Sequence, residues 1–343
     1  MTTRSAVSNG PTIAGHYLAS LCRLIDDNDE LIGRLLKRHQ LSLVQLEQTG
    51  FQLAWSRALP VFQELLPLAQ DPSIGLRLGR QLNLRSHGFL GYAILSSRNI
   101  GEAIDLLIRY LRTRISLFEV RLFREHNDAV IQIDEGIALG PLQFLLMDTL
   151  ITLMMVCGQQ VTGLKFAGEI RLAYSRQPHH SDWPETTAAT VVFDAAFNQI
   201  RFPRKGLLMP IASPDPQLLE MALQQCEQEL GRLHDTGGLI AAVRQQAREH
   251  MAQDLSVERI AQALGMSSRT LRRRLTELGT SYQIIIEQLR RGRAVELLRQ
   301  TTLSVEQIAS ELGYDDPSNF GRAFRRWTSL SPSAYREQAD ESR

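Results

Sequence analysis

The chain has 343 residues, of which 43% are hydrophobic, and this length and composition predict two globular domains. Its formal net charge is only +1, so the chain as a whole belongs to neither the strongly acidic nor the strongly basic class. The three cysteines, Cys22, Cys157 and Cys226, form no Cys-x-x-Cys pair, which argues against a disulfide framework and fits a reducing cytoplasm. We expect no signal peptide and no membrane span, because the most apolar stretch, Leu142–Val156, is short and is predicted to be a buried helix.

The N-terminal part of the chain predicts an α+β domain, because helical spacing gives way to alternating strand patterns. Predicted helices are Tyr17–Ile25, Asp71–Leu78 and Ala103–Leu111. Predicted strands are Phe118–Phe123, Ala129–Ile133, Phe166–Tyr174, Thr190–Phe193 and Gln199–Phe202.

A helix is predicted from Asp215 to Leu233, directly before a glycine-containing hinge at residues 234–238. One side of this helix is apolar and consists of Leu218, Leu219, Ala222 and Cys226. That side either forms a homodimer interface or packs on its own domain, and the sequence leaves both alternatives open. The hinge divides the chain into a first domain, residues 1–233, and a second domain, residues 239–343.

An eleven-residue segment occurs twice in the second domain. Leu255–Gly265 returns as Leu303–Gly313, with a shift of 48 residues and eight of eleven positions identical. In both copies apolar residues recur at i, i+3, i+4 and i+7, as on one face of an amphipathic helix. Each copy has a serine at the N-cap position, Ser256 or Ser304, and a glycine at its end. Because a second helix follows each copy after a short turn, the repeat predicts two helix-turn-helix units.

The second helix of each predicted unit has an apolar stripe that we expect to be buried and a positively charged face opposite it. The stripe residues are Leu271, Leu275 and Leu278 in the first unit, and Phe320, Phe324 and Trp327 in the second. The residues opposite are Arg269, Arg273 and Thr276, with Arg272 on the flank, and then Ser318, Arg322 and Arg325. Ser268 and Asn319 add short polar groups near the helix N-termini. Since the arginine fork bonds twice to guanine edges or phosphate, these nine residues are predicted to bind DNA.

An arginine-rich helix face is often only solvated, and for one isolated helix that interpretation would be the better one. The duplication favours DNA binding, because both second helices carry the same positively charged face. Arg274 lies close to the apolar stripe and is interpreted as an intramolecular or phosphate partner. The charge distribution also favours DNA binding by the second domain. Residues 244–343 contain 16 arginines and 13 acidic residues and are net positive, whereas the remainder contains 22 basic and 24 acidic residues and is net negative.

Enzyme signatures are missing from the sequence, and we expect neither catalysis, a cofactor nor a metal ion. His179 and His180 form the sole histidine pair, but adjacent residues on a loop rarely supply two ligands that converge on one ion. There is no phosphate-binding glycine loop and no Gly-x-Ser-x-Gly. The alternatives to a regulator are an architectural DNA-binding protein without effector control and a repair-type protein, which would need a reactive, metal-held cysteine.

Residues 240–337 resemble the DNA-binding domain of the AraC/XylS family of bacterial transcription regulators. The matching segments are Leu264–Ser267, Arg269–Leu275, Gly279 ahead of Tyr282, Ile308–Tyr314, Ser318–Arg326 and Ser331–Arg336. The resemblance implies an all-α domain in which a long helix, here Tyr282–Gln300, joins the two units. It also implies that the domain reads two successive major-groove segments of double-stranded promoter DNA, about 34 Å apart. Activation through RNA polymerase is the usual output of the family.

The first domain is similar to the arabinose-binding-type regulatory domain of ornithine- and virulence-type regulators in the same family. The matching segments are Asp71–Gly79, Gly88–Ser97 and Phe193–Pro203. This resemblance implies control by a small-molecule effector, whose identity and binding residues the sequence does not give. We therefore expect a cytoplasmic bacterial regulator, associated with the nucleoid when bound to DNA.

Overall fold

The computed structural model describes residues 11–25, 29–124, 127–212, 214–235, 239–251, 255–278, 280–328 and 330–341. Two compact units are present, one containing residues 11–124 and 129–235 and the other containing residues 239–341. The N-terminal unit has helices and sheets, as expected for an α+β domain, and the C-terminal unit is helical. The centre of the predicted hinge, residues 236–238, and Gly279 lie outside the described residues.

The N-terminal unit has a helix or strand at every predicted place, and further helices and one strand pair between them that the sequence did not predict. Its helices are α1 (Gly15–Ile25), α2 (Asp29–Arg38), α3 (Leu43–Leu46), α4 (Trp55–Ala69), α5 (Ile74–Gln81), α6 (Phe89–Leu95), α7 (Ile100–Tyr110), α8 (Gln143–Thr162) and α9 (Pro216–Asp235). Its strands are β1 (Thr12–Ala14), β2 (Gln52–Ala54), β3 (Phe118–Arg124), β4 (Asp128–Glu135), β5 (Glu169–Arg171), β6 (Thr190–Val192) and β7 (Asn198–Pro203). β1 pairs with β2, and the other strands form a sheet in the order β3-β4-β7-β5-β6.

Helix α8 is the core helix of the N-terminal unit, as predicted from Leu142–Val156. By length and composition alone, residues 140–162 could cross a membrane, yet 56% of the most apolar window is buried inside the protein. Helix α5 packs closely against α8 because glycines face it: a Cβ at Gly75 would lie 2.7 Å from the carbonyl oxygen of Leu145. A Cβ at Gly79 would lie 2.6 Å from the Cβ of Thr152. Any larger side chain at these two positions would separate the helices.

Strand β5 is shorter than the sequence predicted. The alternating pattern over Phe166–Tyr174 predicted one long strand, whereas the ladder is confined to Glu169–Arg171. The apolar residues at both ends have other partners: the rings of Phe166 and Phe202 pack edge to face at 6.2 Å, and the Tyr174 hydroxyl donates to Asp148 at 2.6 Å. The alternating hydrophobicity therefore reflects burial of one face, which continues beyond the end of the hydrogen-bonded ladder to Leu172 and Tyr174.

Helix α9 packs on its own unit through half of its apolar side. Ala222 and Cys226 are buried, and Cys226 belongs to the same core cluster as Leu90 and Ile94 of α6. Ala222 and Cys226 therefore pack on their own domain and are not available for a homodimer interface. Leu218 and the neighbouring Met221 stay exposed, at 38% and 65% of their surface.

The C-terminal unit is built from short helices around one long helix. They are α10 (Leu239–Glu249), α11 (Val257–Ala263), α12 (Ser268–Glu277), α13 (Tyr282–Gln300), α14 (Val305–Glu311), α15 (Pro317–Thr328) and α16 (Pro332–Glu341). The predicted caps of the repeat are confirmed. The Ser256 hydroxyl accepts the backbone N–H of Arg259, and Ser304 caps α14 in the same way. Gly265 and Gly313 have φ values of 68° and 70°, a left-handed conformation that few other residues adopt readily.

The buried stripes of α12 and α15 lie where the helical period places them. Leu271, Leu275, Phe320 and Phe324 are completely buried. Trp327 is only partly buried, and its indole Nε1–H donates to Glu287 of α13 at 2.6 Å. The last residue of the predicted stripe thus acts as a bridge to α13 as well as a packing residue.

We predict that replacing Phe324 with alanine in the full chain lowers the free energy of unfolding of the C-terminal unit by about 3–5 kcal/mol, because the ring is fully buried. The milder Trp327→Phe removes one hydrogen bond and should cost about 1 kcal/mol. Urea denaturation followed by circular dichroism measures both. Arg325→Ala, an exposed change on the same helix, is the control, and a Phe324→Ala protein as stable as this control would contradict the packing.

Candidate DNA-binding surface

Helix α12 presents one polar face to solvent. The Ser267 hydroxyl caps its N-terminus by accepting the backbone N–H of Thr270 at 3.2 Å. Because Leu271 and Leu275 point into the core, the predicted contact residues on the opposite side are directed outward. Arg269, Arg272, Arg273 and Thr276 are exposed, and Ser268 in the first turn is half-buried.

The arginines of α12 are held only loosely. Arg272 lies 3.6 Å from Glu258 of α11, and Arg273 lies 3.6 Å from Glu277 one turn further along. All four side chains are more than half exposed, and exposed ion pairs of this kind contribute roughly 0–1 kcal/mol. Among the residues that the structure describes, Arg269 forms no ion pair. These guanidinium groups can therefore exchange their present partners for phosphate or base oxygens at little cost.

Helix α15 presents a second face of the same kind. Its start is organised by Asp316, whose carboxylate accepts the backbone N–H of Ser318 at 2.8 Å, and this bond holds the pKa of Asp316 below its usual value. The exposed contact residues of this face are Ser318, Asn319, Arg322 and Arg325. Arg322 donates to the side-chain oxygen of Asn319 at 2.6 Å, which fixes the guanidinium near the first turn.

Three other arginines of the C-terminal unit have structural partners. Arg290 stacks over the ring of Tyr314 at 4.6 Å and donates to the carbonyl oxygen of Gly313 at 3.1 Å. Arg326 pairs with Glu287 at 2.7 Å, and Arg336 donates to the carbonyl oxygen of Leu303. Arg274, which was interpreted as an intramolecular or phosphate partner, is exposed.

Glu287 is the residue that sequence reasoning missed in this unit. Its carboxylate accepts from both Arg326 and Trp327, and these bonds hold its pKa below the ordinary value of a glutamate. The available signal was an acidic residue in the otherwise apolar and uncharged first two turns of α13, Tyr282–Leu289. Its partners lie about 40 positions away, so helical spacing alone did not identify them.

The cysteines have the properties of packing residues. Burial raises the pKa of Cys22 and of Cys157 to about 12, and that of Cys226 to about 11. A thiol of this kind is protonated at neutral pH and a poor nucleophile. Among the described residues, the group whose ligand atoms could hold a metal ion also contains no cysteine, which argues against the repair-type alternative with its reactive, metal-held thiolate.

The histidine pair converges on an aspartate that the sequence did not connect with it. Both imidazole Nε2 atoms lie within 3.1 Å of the Asp148 carboxylate, which is on α8, and Tyr174 donates to the same group. The premise that adjacent histidines do not converge was therefore wrong for His179 and His180. His180 Nδ1 accepts the backbone N–H of Gln177, so its Nε2 carries the proton and donates to Asp148. The arrangement satisfies a buried carboxylate and ties the loop to α8.

A cavity of about 580 Å³ lies inside the N-terminal unit. Its walls come from α5, α6, α7 and α8 and from the sheet. Its size falls within the roughly 300–1,000 Å³ typical of small-molecule sites. No sequence motif indicated it, because its lining residues are ordinary apolar positions of many separate elements.

Two family profiles match this chain. The profile described as the arabinose-binding domain of AraC transcription regulators, N-terminal, matches residues 32–211, and the profile described as a helix-turn-helix domain matches residues 260–338. The ornithine utilization regulator of Pseudomonas aeruginosa is 34% identical over 275 residues, which are 79% of this chain and 80% of that protein. The regulator VirS of Mycobacterium tuberculosis is 43% identical over 81 residues, 24% of each chain.

Among solved structures, the DNA-binding domain of AdpA in complex with a target DNA is 34% identical, covering 30% of this chain and 95% of that one, with a TM-score of 0.28. The two matched profiles together define a transcription regulator with an N-terminal arabinose-binding-type domain and a DNA-binding helix-turn-helix domain. The chain belongs to the AraC family, whose members are regulators and not enzymes.

We predict that Arg273→Ala and Arg322→Ala each weaken specific DNA binding by about 1–3 kcal/mol, the usual loss for one bidentate base contact. Affinity would be measured by titration of a DNA site selected from random sequence by the wild-type protein. Arg293→Ala, an exposed arginine of α13 paired with Glu296, is the matched control. If both variants bind with wild-type affinity and base preference, the assignment of these faces is wrong.

We further predict that Asp148→Ala destabilises the N-terminal unit by about 3–5 kcal/mol, because it leaves the buried Tyr174 hydroxyl and the imidazole groups without their acceptor, at about 1–3 kcal/mol each. Asp105→Ala is the control, because Asp105 is 55% exposed in its ion pair with Arg124. Thermal melts with added zinc or with a chelator complete the experiment. A zinc-dependent rise in melting temperature that Asp148→Ala abolishes would show that the cluster holds a metal ion.

Proposed function

We propose that the protein is a sequence-specific regulator that reads promoter DNA with two helix-turn-helix units. α11 with α12 and α14 with α15 are the units, and α13 joins them. The observation that carries this proposal is the pair of exposed polar faces on α12 and α15. Their contact residues are Ser268, Arg269, Arg272, Arg273, Thr276, Ser318, Asn319, Arg322 and Arg325.

The division of labour follows the proposed domain limits. Residues 1–233 are the regulatory domain, residues 234–238 are the hinge, and residues 239–343 are the DNA-binding domain. The cavity in the N-terminal unit supports control by a small-molecule effector. An effector would act by shifting the population between arrangements that can and cannot bind DNA.

The output that we propose is activation through contact with RNA polymerase in the bacterial cytoplasm, with the protein on the nucleoid when bound. A homodimer remains a proposal as well, and the exposed Leu218 and Met221 of α9 are its best-placed residues. An architectural protein would not need a large N-terminal unit with an internal cavity, which favours the regulator.

We predict a DNase footprint with two protected segments about one helical turn apart, because α12 and α15 would enter successive major grooves. In the same experiment, Arg273→Ala should weaken protection of one segment and Arg322→Ala that of the other. Transcript profiling of a strain lacking the gene should show changes at few promoters. A single continuous footprint without sequence preference, together with small changes at many promoters, would support the architectural alternative instead.

A further inference from the structure

The cavity in the N-terminal unit is almost entirely apolar. Representative wall residues from the helices and the sheet are Phe62, Leu78, Ile104, Val120, Leu150 and Phe202. A small, fully charged molecule would lose its hydration in such a cavity without gaining partners along the wall. The body of a ligand that fits must therefore be hydrocarbon-like.

Polar groups line the cavity at one buried end. Tyr17, His87 and Arg114 form this end, and the Tyr17 hydroxyl and His87 Nδ1 share a hydrogen bond of 2.7 Å. The Arg114 side chain is 5% exposed and pairs with Glu229 through Nη2. Its Nε has no hydrogen-bond partner among the described residues, so the guanidinium retains donor capacity.

The buried end carries no net positive charge. Glu229 compensates Arg114, and burial lowers the pKa of His87 to about 3 and that of the neighbouring His16 to about 4. Both imidazoles are therefore neutral at pH 7. Burial also raises the pKa of Tyr17, so its hydroxyl stays protonated. A carboxylate placed here would face no uncompensated cation, whereas a neutral oxygen would still find hydrogen-bond donors.

Two lysines line the cavity at its exposed part. Lys165 and Lys205 are both solvent-exposed, so their attraction for an anion is weakened by water and salt. The strongest polar recognition inside the cavity is thus the neutral end at Arg114.

We propose that the cavity binds an uncharged, elongated apolar molecule with a single carbonyl group, such as a long-chain ketone, ester or lactone, whose oxygen accepts from the Arg114 guanidinium. This inference rests on the proposed effector control and names the chemical class of the effector. The hydrocarbon body lies between α7, α8 and the sheet, and the carbonyl lies beside Tyr17 and His87.

Calorimetric titration of the full chain tests the ligand class with three probes: methyl nonyl ketone, decanoate and L-ornithine. The ketone should bind saturably and at least about tenfold more tightly than decanoate. Decanoate must either bury its carboxylate without a free cation or leave the carboxylate in water and its chain incompletely buried. Ornithine should not bind, since it carries charges at both ends. Tighter binding of decanoate, lost in Lys165→Gln and Lys205→Gln, would overturn the proposal by placing an anionic group at the lysines.

Gly158 of α8 provides the variant that tests the location. It lines the cavity, and a Cβ built there meets no atom within 4 Å, so Gly158→Leu fills the cavity without displacing backbone. We expect this variant to fold and to lose ketone binding. Gly231→Leu is the matched control, because Gly231 is also on a helix with open space at its Cβ but does not line the cavity. Ketone binding unchanged by Gly158→Leu would overturn the location.

Arg114→Lys tests the polar contact, because lysine keeps a charge opposite Glu229 but has a single nitrogen in place of the separately placed Nη2 and Nε of arginine. It should weaken ketone binding about tenfold, as expected for one hydrogen bond to a charged group. Tyr17→Phe, which leaves Arg114 paired, gives a second reading if Arg114→Lys does not fold. Unchanged affinity in the variant that folds would overturn the assigned end.

DNA titrations with and without the ketone separate this inference from the proposed function. Specific DNA binding without ketone binding would overturn the ligand class and leave the regulator proposal intact. Ketone binding that leaves DNA affinity unchanged would support the cavity assignment and contradict effector control.

Discussion

Burial of one stripe on each of two helices determines which side chains of the C-terminal unit can meet DNA. Leu271 and Leu275 of α12, like Phe320 and Phe324 of α15, are completely enclosed, so each helix has a single allowed rotation about its axis. The polar residues between them then face solvent by geometry alone. A change in the apolar stripe would therefore misdirect the arginines even if every arginine were kept.

The ion pairs and hydrogen bonds of the arginines also determine which of them can contact DNA. The C-terminal domain has only a small excess of positive charge, so a broad cationic field does not account for DNA binding. Only some of the arginines are available to DNA. Arg290, Arg326 and Arg336 instead contact a ring, a carboxylate or a carbonyl oxygen of their own unit. On the two exposed faces, Arg272 and Arg273 have only exposed ion pairs, and Arg322 donates to an uncharged side chain on its own helix. Affinity should consequently depend on a few directed contacts.

The sequence predicted those features that depend on local periodicity. Caps at Ser256 and Ser304 and the buried stripes follow from residues within a few turns of one another, whereas the range of α13 was expected from the family resemblance. Features that depend on contacts between distant positions were not predictable. The convergence of His179 and His180 on Asp148, and the length of β5, belong to this second group, because nothing in either local pattern specifies the partner. The cavity belongs to it as well.

One physical link connects the cavity with the end of the N-terminal unit. Arg114, at the buried polar end, is paired with Glu229 of α9, and Arg109 and Tyr110 contact Glu227, two residues earlier on the same helix. Helix α9 ends at Asp235, immediately before the predicted centre of the hinge. A ligand oxygen that accepts from the unpartnered Nε of Arg114 would bind the same guanidinium that holds α9 through Nη2, and would reposition it relative to Glu229. Occupation of the cavity would thus alter the anchoring of the element that leads into the hinge, which is the differential contact that effector control requires.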